Sequence, residues 1–261
     1  MTNNKQKYYF GDSRKLIRDV KNNSVNLIVT SPPYNIGKKY GKYNDNVPLE
    51  DWEALIGEIA KEATRVLTSD GSFFLNVSPV PNGKTREIIP LDAIAYSIGK
   101  KHGLYLRNSI VWTFNNMQNC THRLSGRWES ILWFVKDINN YIFNLDKVRI
   151  PYITQGDKRL DPDGGRNPTD VWYFDRVNNM TKKKLGIAEA PCIYPLPMIE
   201  RILRMSTNPG NVVLDPFLGS GTTLVACARL NRNGIGFELD KKYESIIKKR
   251  LDVETKIQLN L

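Results

Sequence analysis

The chain has 261 residues, enough for one large α/β domain or two small ones with a real core. Hydrophobic residues make up 41% and charged residues 25%, a globular balance, and no run approaches the roughly 18 apolar residues of a membrane span. Lys and Arg number 38 against 27 Asp and Glu; the net charge of +11 points to a polyanionic partner, most commonly nucleic acid.

Lys7 to Phe10 alternates weakly and predicts a short strand. Gly11-Asp12-Ser13 follows, with Asp12 or Ser13 placed to cap a helix carrying Leu16, Ile17 and Val20. Val25 to Val29 reads as a buried strand and runs into Thr30-Ser31-Pro32-Pro33-Tyr34-Asn35. The two prolines stop the strand, because neither can donate to a ladder, and Pro32 biases Ser31 away from helix. The result is a stiff turn at the carboxyl end of a strand, where open α/β sheets bind ligands. It presents the Ser31 hydroxyl, the carbonyls of Pro32 and Pro33 and the Tyr34 ring, a set that suits a planar, amine-bearing substrate. The same residues also suit a plain proline-rich surface turn.

Ile36 to Asn46, rich in Gly, Lys, Tyr and Asn, reads as a loop able to close over a substrate or as an ordinary surface loop. Pro48 opens a helix whose Trp52, Leu55, Ile56, Ile59, Ala60, Ala63, Val66 and Leu67 recur at three- and four-residue steps and belong to the core. Asp70-Gly71 ends it. Strands are expected over Ser72–Val77, Leu106–Trp112 and Glu129–Val135, with a helix over Pro90–Lys101. The alternation predicts βα units, one α/β fold and a mostly parallel sheet.

From Lys136 to about Ala190 the pattern breaks down. Pro151, Gly156, Pro162, Gly164, Gly165, Pro168 and Gly186 interrupt it, and basic residues (Lys147, Arg149, Lys158, Arg159, Arg166, Arg176, Lys182 to Lys184) alternate with Tyr141, Phe143, Tyr152, Trp172, Tyr173 and Phe174. Such a stretch suits contacts to phosphates and base edges, or is a solvated insertion. Regularity returns with a helix opened by Pro197 and carrying Ile199, Ile202, Leu203 and Met205, a turn at Asn208-Pro209-Gly210, and a strand at Val212–Leu214.

That strand enters Asp215-Pro216-Phe217-Leu218-Gly219-Ser220-Gly221-Thr222-Thr223, then a helix with Leu224, Val225, Cys227 and Leu230, then a strand, Gly234 to Glu238. This is a βαβ unit with a Gly-rich first turn, its helix N-terminus open to an anion and an acid about 20 residues on for ribose hydroxyls. The turn is not GxGxxG, and Asp215 would repel a pyrophosphate but pair with an ammonium. A nucleoside cofactor with an amino-acid tail, S-adenosylmethionine, explains that better than NAD; a ligand-free tight turn is the bland alternative.

Together the two constellations resemble the amino-methylating DNA methyltransferases of restriction–modification systems, in their permuted (β) group, where the catalytic motif precedes the cofactor motif. The resemblance rests on Thr30–Asn35, Glu62–Leu67 to Gly71, Pro195-Leu196-Pro197, Asp215–Thr223 and Glu238. It implies the doubly wound, mostly parallel α/β fold of S-adenosylmethionine-dependent methyltransferases with a loop-rich insertion. One domain, 1–261, would comprise a catalytic half (1–135), a target-recognition insertion (136–190) and a cofactor-binding half (191–261). The family pattern is Asp/Asn/Ser-Pro-Pro-Tyr/Phe. Ser at the first position, here Ser31, goes mostly with N4-methylation of cytosine and Asp with N6-methylation of adenine.

The resemblance implies a base flipped from double-stranded DNA, with Tyr34 stacked on it and Ser31 and a Pro32 or Pro33 carbonyl accepting from its amine. Asp215, Phe217, Gly219, Ser220, Gly221 and Thr222 would hold the methionine end of the cofactor, Glu238 the ribose and Asp12 the adenine. Trp133 or Phe134 are candidates to face the base, although either suits ordinary core, and His102 and His122 read as structural or surface residues. Transfer would be direct, with no metal. A cognate restriction endonuclease in the same system is implied as a functional partner, and homodimers occur in the group.

The rival readings are an NAD oxidoreductase, an N-methyltransferase acting on adenine, RNA or a protein, and a DNA-binding protein without catalysis. Cys120, Cys192 and Cys227 are odd in number and far apart, which fits a reducing cytoplasm rather than a disulfide framework or zinc site. Met1 to Lys7 is polar and lacks the apolar core of a secretory signal.

Overall fold

The computed structural model describes residues 4–40, 42–115, 119–151, 165–187 and 193–256. Strand β1 (Gln6–Phe10) leads to a one-turn helix, α1 (Ser13–Leu16), whose N-cap is Asp12. Strand β2 (Val25–Thr30) ends at the Pro-Pro turn. A two-stranded ribbon, β3 (Lys39–Tyr40) and β4 (Tyr43–Asn44), occupies the expected loop. Its base is tied down: the Asp45 carboxylate, 2% exposed, accepts the backbone N–H groups of Asn35, Ile36 and Lys38.

Helix α2 (Leu49–Val66) and strand β5 (Leu67–Val77) follow, then a small ribbon of β6 (Val80–Pro81) and β7 (Ile88–Ile89). Next come α3 (Leu91–Lys101), β8 (Tyr105–Thr113), β9 (Trp128–Val135), β10 (Val171–Tyr173) and α4 (Asn179–Leu185). The chain closes with α5 (Leu196–Ser206), β11 (Val212–Asp215), α6 (Thr222–Arg229), β12 (Asn233–Glu238) and α7 (Glu244–Glu254).

Eight strands form one sheet in the order β1-β12-β11-β2-β5-β9-β8-β10. All neighbours are parallel except β9, which runs antiparallel to both β5 and β8. No helix lies among the described residues between β8 and β9, so the chain turns back directly, as antiparallel neighbours allow. The mostly parallel α/β sheet expected from the sequence is what forms.

Both faces of the sheet are covered, which is why its central strands read as continuous apolar runs. Strand alternation sends Ile28, Phe73, Leu75 and Phe134 to the face packed by α2, with Trp52, Ile56, Ile59 and Ala63. Leu27, Val29, Phe74, Ile131 and Trp133 go to the other, under Met198, Ile199, Ile202 and Leu203 of α5 and Cys227 of α6.

The described parts of the 136–190 stretch lie against this core. Val148 and Trp172 are buried in it, β10 extends the sheet beside β8, and the Asn144 amide donates to the Arg204 and Thr207 carbonyls at the end of α5. Tyr152, Gly156, Lys158, Arg159, Pro162, Gly164 and Cys192 fall outside the described residues. Among the described residues no helix is long and apolar enough to cross a membrane.

Candidate active site

From β11 the chain crosses through α6 to β12 on one side; from β2 it crosses through α2 to β5 on the other. The two helices cover opposite faces, so a crevice opens at the carboxyl ends of β11 and β2, the topological switch point of the sheet. A cavity of about 640 Å³ lies there, within the range of small-molecule sites.

One wall is the loop after β11. Gly219 (φ +53°) and Gly221 (φ +86°) adopt the left-handed conformation that only glycine enters cheaply, and Gly221 caps α6 without a side-chain bond to the helix N–H groups. Glu238, at the end of β12, accepts the Gly219 N–H through Oε2 and the Asp240 N–H through Oε1, both at 2.9 Å. Burial pushes its carboxyl above the ordinary value against those two bonds. Asp12 reaches the same cavity from β1, its carboxyl held below the usual range by the Arg14 guanidinium.

Behind this wall Arg250 of α7, only 3% exposed, donates to Ser220 Oγ (2.8 Å) and Thr222 Oγ1 (2.7 Å) and pairs with Glu254. Arg250→Ala is expected to cost about 3–5 kcal/mol in denaturant unfolding, because it leaves Glu254 charged, buried and unpaired. Removing both partners should cost less than removing Arg250 alone; an equal or larger loss in the double variant would refute this account.

Asp215 joins the two motifs. Its carboxylate, 1% exposed, accepts Thr30 Oγ1 (2.6 Å) and the Phe217 N–H (3.1 Å) through Oδ1, and Thr223 Oγ1 (2.6 Å) through Oδ2. Burial raises its pKa against these bonds. Asp215 thus clasps the end of β2 to the loop after β11, and an ammonium would have to compete with three protein donors for it. Neither Asp215 nor Gly221 lines the cavity.

The opposite wall carries the Pro-Pro turn, with the Trp52 indole N–H fixing the Pro33 carbonyl at 2.7 Å. Ser31 Oγ donates to the Tyr34 hydroxyl (3.1 Å), which donates to Glu129 Oε2 (2.8 Å). The Asn76 amide nitrogen donates to the Tyr34 oxygen (2.6 Å) and to Glu129 Oε2 (2.8 Å). Arg176, which follows β10, pairs with Glu129 Oε1 at 2.6 Å and lies 4.0 Å over the Phe114 ring. Burial and the Glu129 charge raise the Tyr34 phenol well above its ordinary pKa, so it stays protonated.

The cavity therefore brings together Ser31, Pro32, Pro33, Tyr34, Phe217, Gly219, Ser220, Thr222, Glu238 and Asp12 from distant stretches of sequence. It does not include the candidates Trp133 and Phe134. Trp133 is stacked on Phe74 and donates to Ser72 Oγ, and Phe134 packs on Gly99, so both are core. Sequence reasoning missed Asn76, Glu129 and Arg250, and it named Arg176 only among the basic residues of the 136–190 stretch. For Asn76 and Glu129 a signal exists: each is a polar residue in or beside an apolar strand run, and a buried polar residue asks for a partner.

A family model described as DNA methylase, of the N6/N4 methyltransferases, matches residues 25–249. The chain is 39% identical over 249 residues to the type II methyltransferase M.BglII of Bacillus subtilis, spanning 92% of this chain and 67% of that protein. It is 30% identical to the DNA adenine methyltransferase YhdJ of Escherichia coli K12, over 93% and 81% of the two chains. The fold is shared with the cytosine-N4-specific PvuII DNA methyltransferase, with a TM-score of 0.75, 21% identity and coverage of 100% and 89%. The clasped loops, the switch-point cavity and a match across most of the chain agree: this protein belongs to the N6/N4 DNA methylase family and is a DNA amino-methyltransferase.

Proposed function

We propose that the chain transfers a methyl group from S-adenosylmethionine to the exocyclic amine of a base flipped out of double-stranded DNA, with N4 of cytosine as the target. The observation that carries this reading is the single cavity in which Ser31 and Tyr34 face the Gly219–Thr222 loop and Glu238. The residues fit such a cofactor: Glu238 offers a desolvated carboxylate to ribose hydroxyls, and the uncapped start of α6, with Ser220 and Thr222 backed by Arg250, suits a carboxylate. Phe217 and Asp12 complete that wall. When bound, the cofactor supplies an activated methyl group on a sulfonium.

The protein's part is positioning and exclusion of water. Ser31 and the Pro32 carbonyl accept from the target amine, and the Tyr34 ring stacks on the base. The basic, aromatic 136–190 stretch is assigned to target recognition, consistent with Arg176 reaching from it into the cavity. The motif order, Ser31–Tyr34 before Asp215–Thr222, supports assigning the chain to the permuted group, and a cognate endonuclease is proposed as its functional counterpart. Ser31 favours cytosine, whereas the resemblance to YhdJ, named as an adenine methyltransferase, favours N6 of adenine.

The test is to incubate the protein with S-adenosylmethionine and unmethylated amplified DNA, digest to nucleosides and identify products by mass spectrometry. N4-methyldeoxycytidine is expected. N6-methyldeoxyadenosine would overturn the assignment from Ser31, and no methylated base on diverse DNA would overturn the whole reading.

A further inference from the structure

Ser31, Tyr34, Asn76 and Glu129 form a hydrogen-bonded chain whose direction is set by one residue. The Asn76 amide nitrogen can only donate, and it lies against both the Tyr34 oxygen and Glu129 Oε2. Rotating the amide would place its oxygen against a carboxylate oxygen, so this orientation is the stable one. With Asn76 donating to it, the phenol sends its one hydrogen to the charged Glu129 carboxylate at 2.8 Å rather than to the neutral Ser31 hydroxyl at 3.1 Å. The Ser31 hydrogen is therefore committed to Tyr34, and the Ser31 lone pairs remain as acceptors toward the cavity. Glu129 is 8% exposed, and Arg176 occupies its other oxygen. Among the described residues, Arg176 pairs with Glu129 and Tyr194 acts electrostatically on Tyr34.

We propose that Glu129 is the final acceptor of the proton released by methyl transfer, reached from the target amine through Ser31 and Tyr34. The proposal rests on the reading that Ser31 meets that amine. The exocyclic nitrogen bonds to the methyl carbon as the carbon–sulfur bond breaks, and the bonding pair stays with sulfur. One N–H proton passes to Ser31 Oγ, the Ser31 proton to the Tyr34 oxygen and the Tyr34 proton to Glu129 Oε2. Charge balances: the positive charge lost at sulfur neutralises the carboxylate, while Ser31 and Tyr34 end as they began. Asn76 and Glu129 are positioning residues in this scheme, since neither need touch the base. The family pattern admits Phe at the position of Tyr34, so the relay belongs to chains with tyrosine there.

Single-turnover methyl transfer to unmethylated amplified DNA, measured beside calorimetric cofactor affinity, tests this. Tyr34→Phe keeps the ring and removes the relay; Glu129→Gln removes the acceptor; Glu129→Asp keeps a carboxylate. General-base contributions run about 10²- to 10⁴-fold, so Tyr34→Phe and Glu129→Gln should each lose on the order of 10²-fold or more in transfer rate with cofactor affinity unchanged. Glu129→Asp should recover part of the loss. Wild-type rates in Tyr34→Phe would overturn the relay, as would a wild-type rate in Glu129→Gln or a Glu129→Asp no faster than Glu129→Gln. A wild-type protein that methylates no base would overturn the function itself, a different result from either.

Discussion

Tyr34→Ala is expected to bind S-adenosylmethionine normally and to lose methyl transfer by on the order of 10³-fold. Two losses combine. Base–aromatic stacking contributes about 1–3 kcal/mol, or roughly 5- to 150-fold. Loss of the hydroxyl adds a further factor of about 10² by breaking the path from Ser31 to Glu129. Comparison with Tyr34→Phe separates the two, since phenylalanine stacks but cannot relay. The cofactor wall, built by the Gly219–Thr222 loop and Glu238, has no contact with Tyr34 among the hydrogen bonds described, so calorimetry should show unchanged affinity. Full turnover in Tyr34→Ala would refute both roles at once.

Asp215→Ala should show the largest effect on stability and on cofactor affinity together. The substitution strips acceptors from Thr30, Thr223 and the Phe217 N–H in a buried setting. Each unmet group costs about 1–3 kcal/mol, so a total of about 3–9 kcal/mol is expected, with a Tm lower by roughly 10 °C or more for a chain of this size. Cofactor affinity should fall because the loop after β11 loses its tie to β2.

Asp215→Asn distinguishes clasp from charge. Its oxygen still accepts, and the threonine hydroxyls can turn to accept from its amide, so a clasp survives largely intact in Tm and affinity. If the carboxylate instead holds an ammonium, Asn should keep the Tm but lose affinity as Ala does. The pH dependence has a defined sign. A carboxyl whose folded pKa is raised contributes stability that is fully present below its unfolded value and lost as pH rises through the folded one. Asn does not titrate, so its stability relative to wild type should be more favourable at neutral than at acidic pH; chemical unfolding at the two pH values measures this.

Much was legible in the sequence because local chemistry forces it. Proline cannot donate to a ladder, so β2 had to end at Ser31-Pro32-Pro33. Left-handed turns want glycine, so Gly219 and Gly221 marked the loop after β11. Strong periodicity placed α2 and α5 within a residue or two. Helix α7 was not foreseen; its apolar pattern is interrupted by Lys248, Lys249 and Arg250, and it is held mainly by Ile247 and the Arg250 contacts.

The tertiary structure alone decided the rest, because those properties depend on which strands become neighbours. Pairing β9 between β5 and β8 set Glu129 beside Asn76 and Tyr34, partners 53 and 95 residues away in sequence. Pleat direction sent Trp133 and Phe134 to opposite faces of the core and away from the cavity. Burial made Asp215, expected from the sequence to meet a charged amine, the tie between two loops as well, since a carboxylate removed from water takes the donors within reach. Residue identity and spacing determined which groups the site contains; the packing of distant strands determined which of them meet and what each is left free to bind.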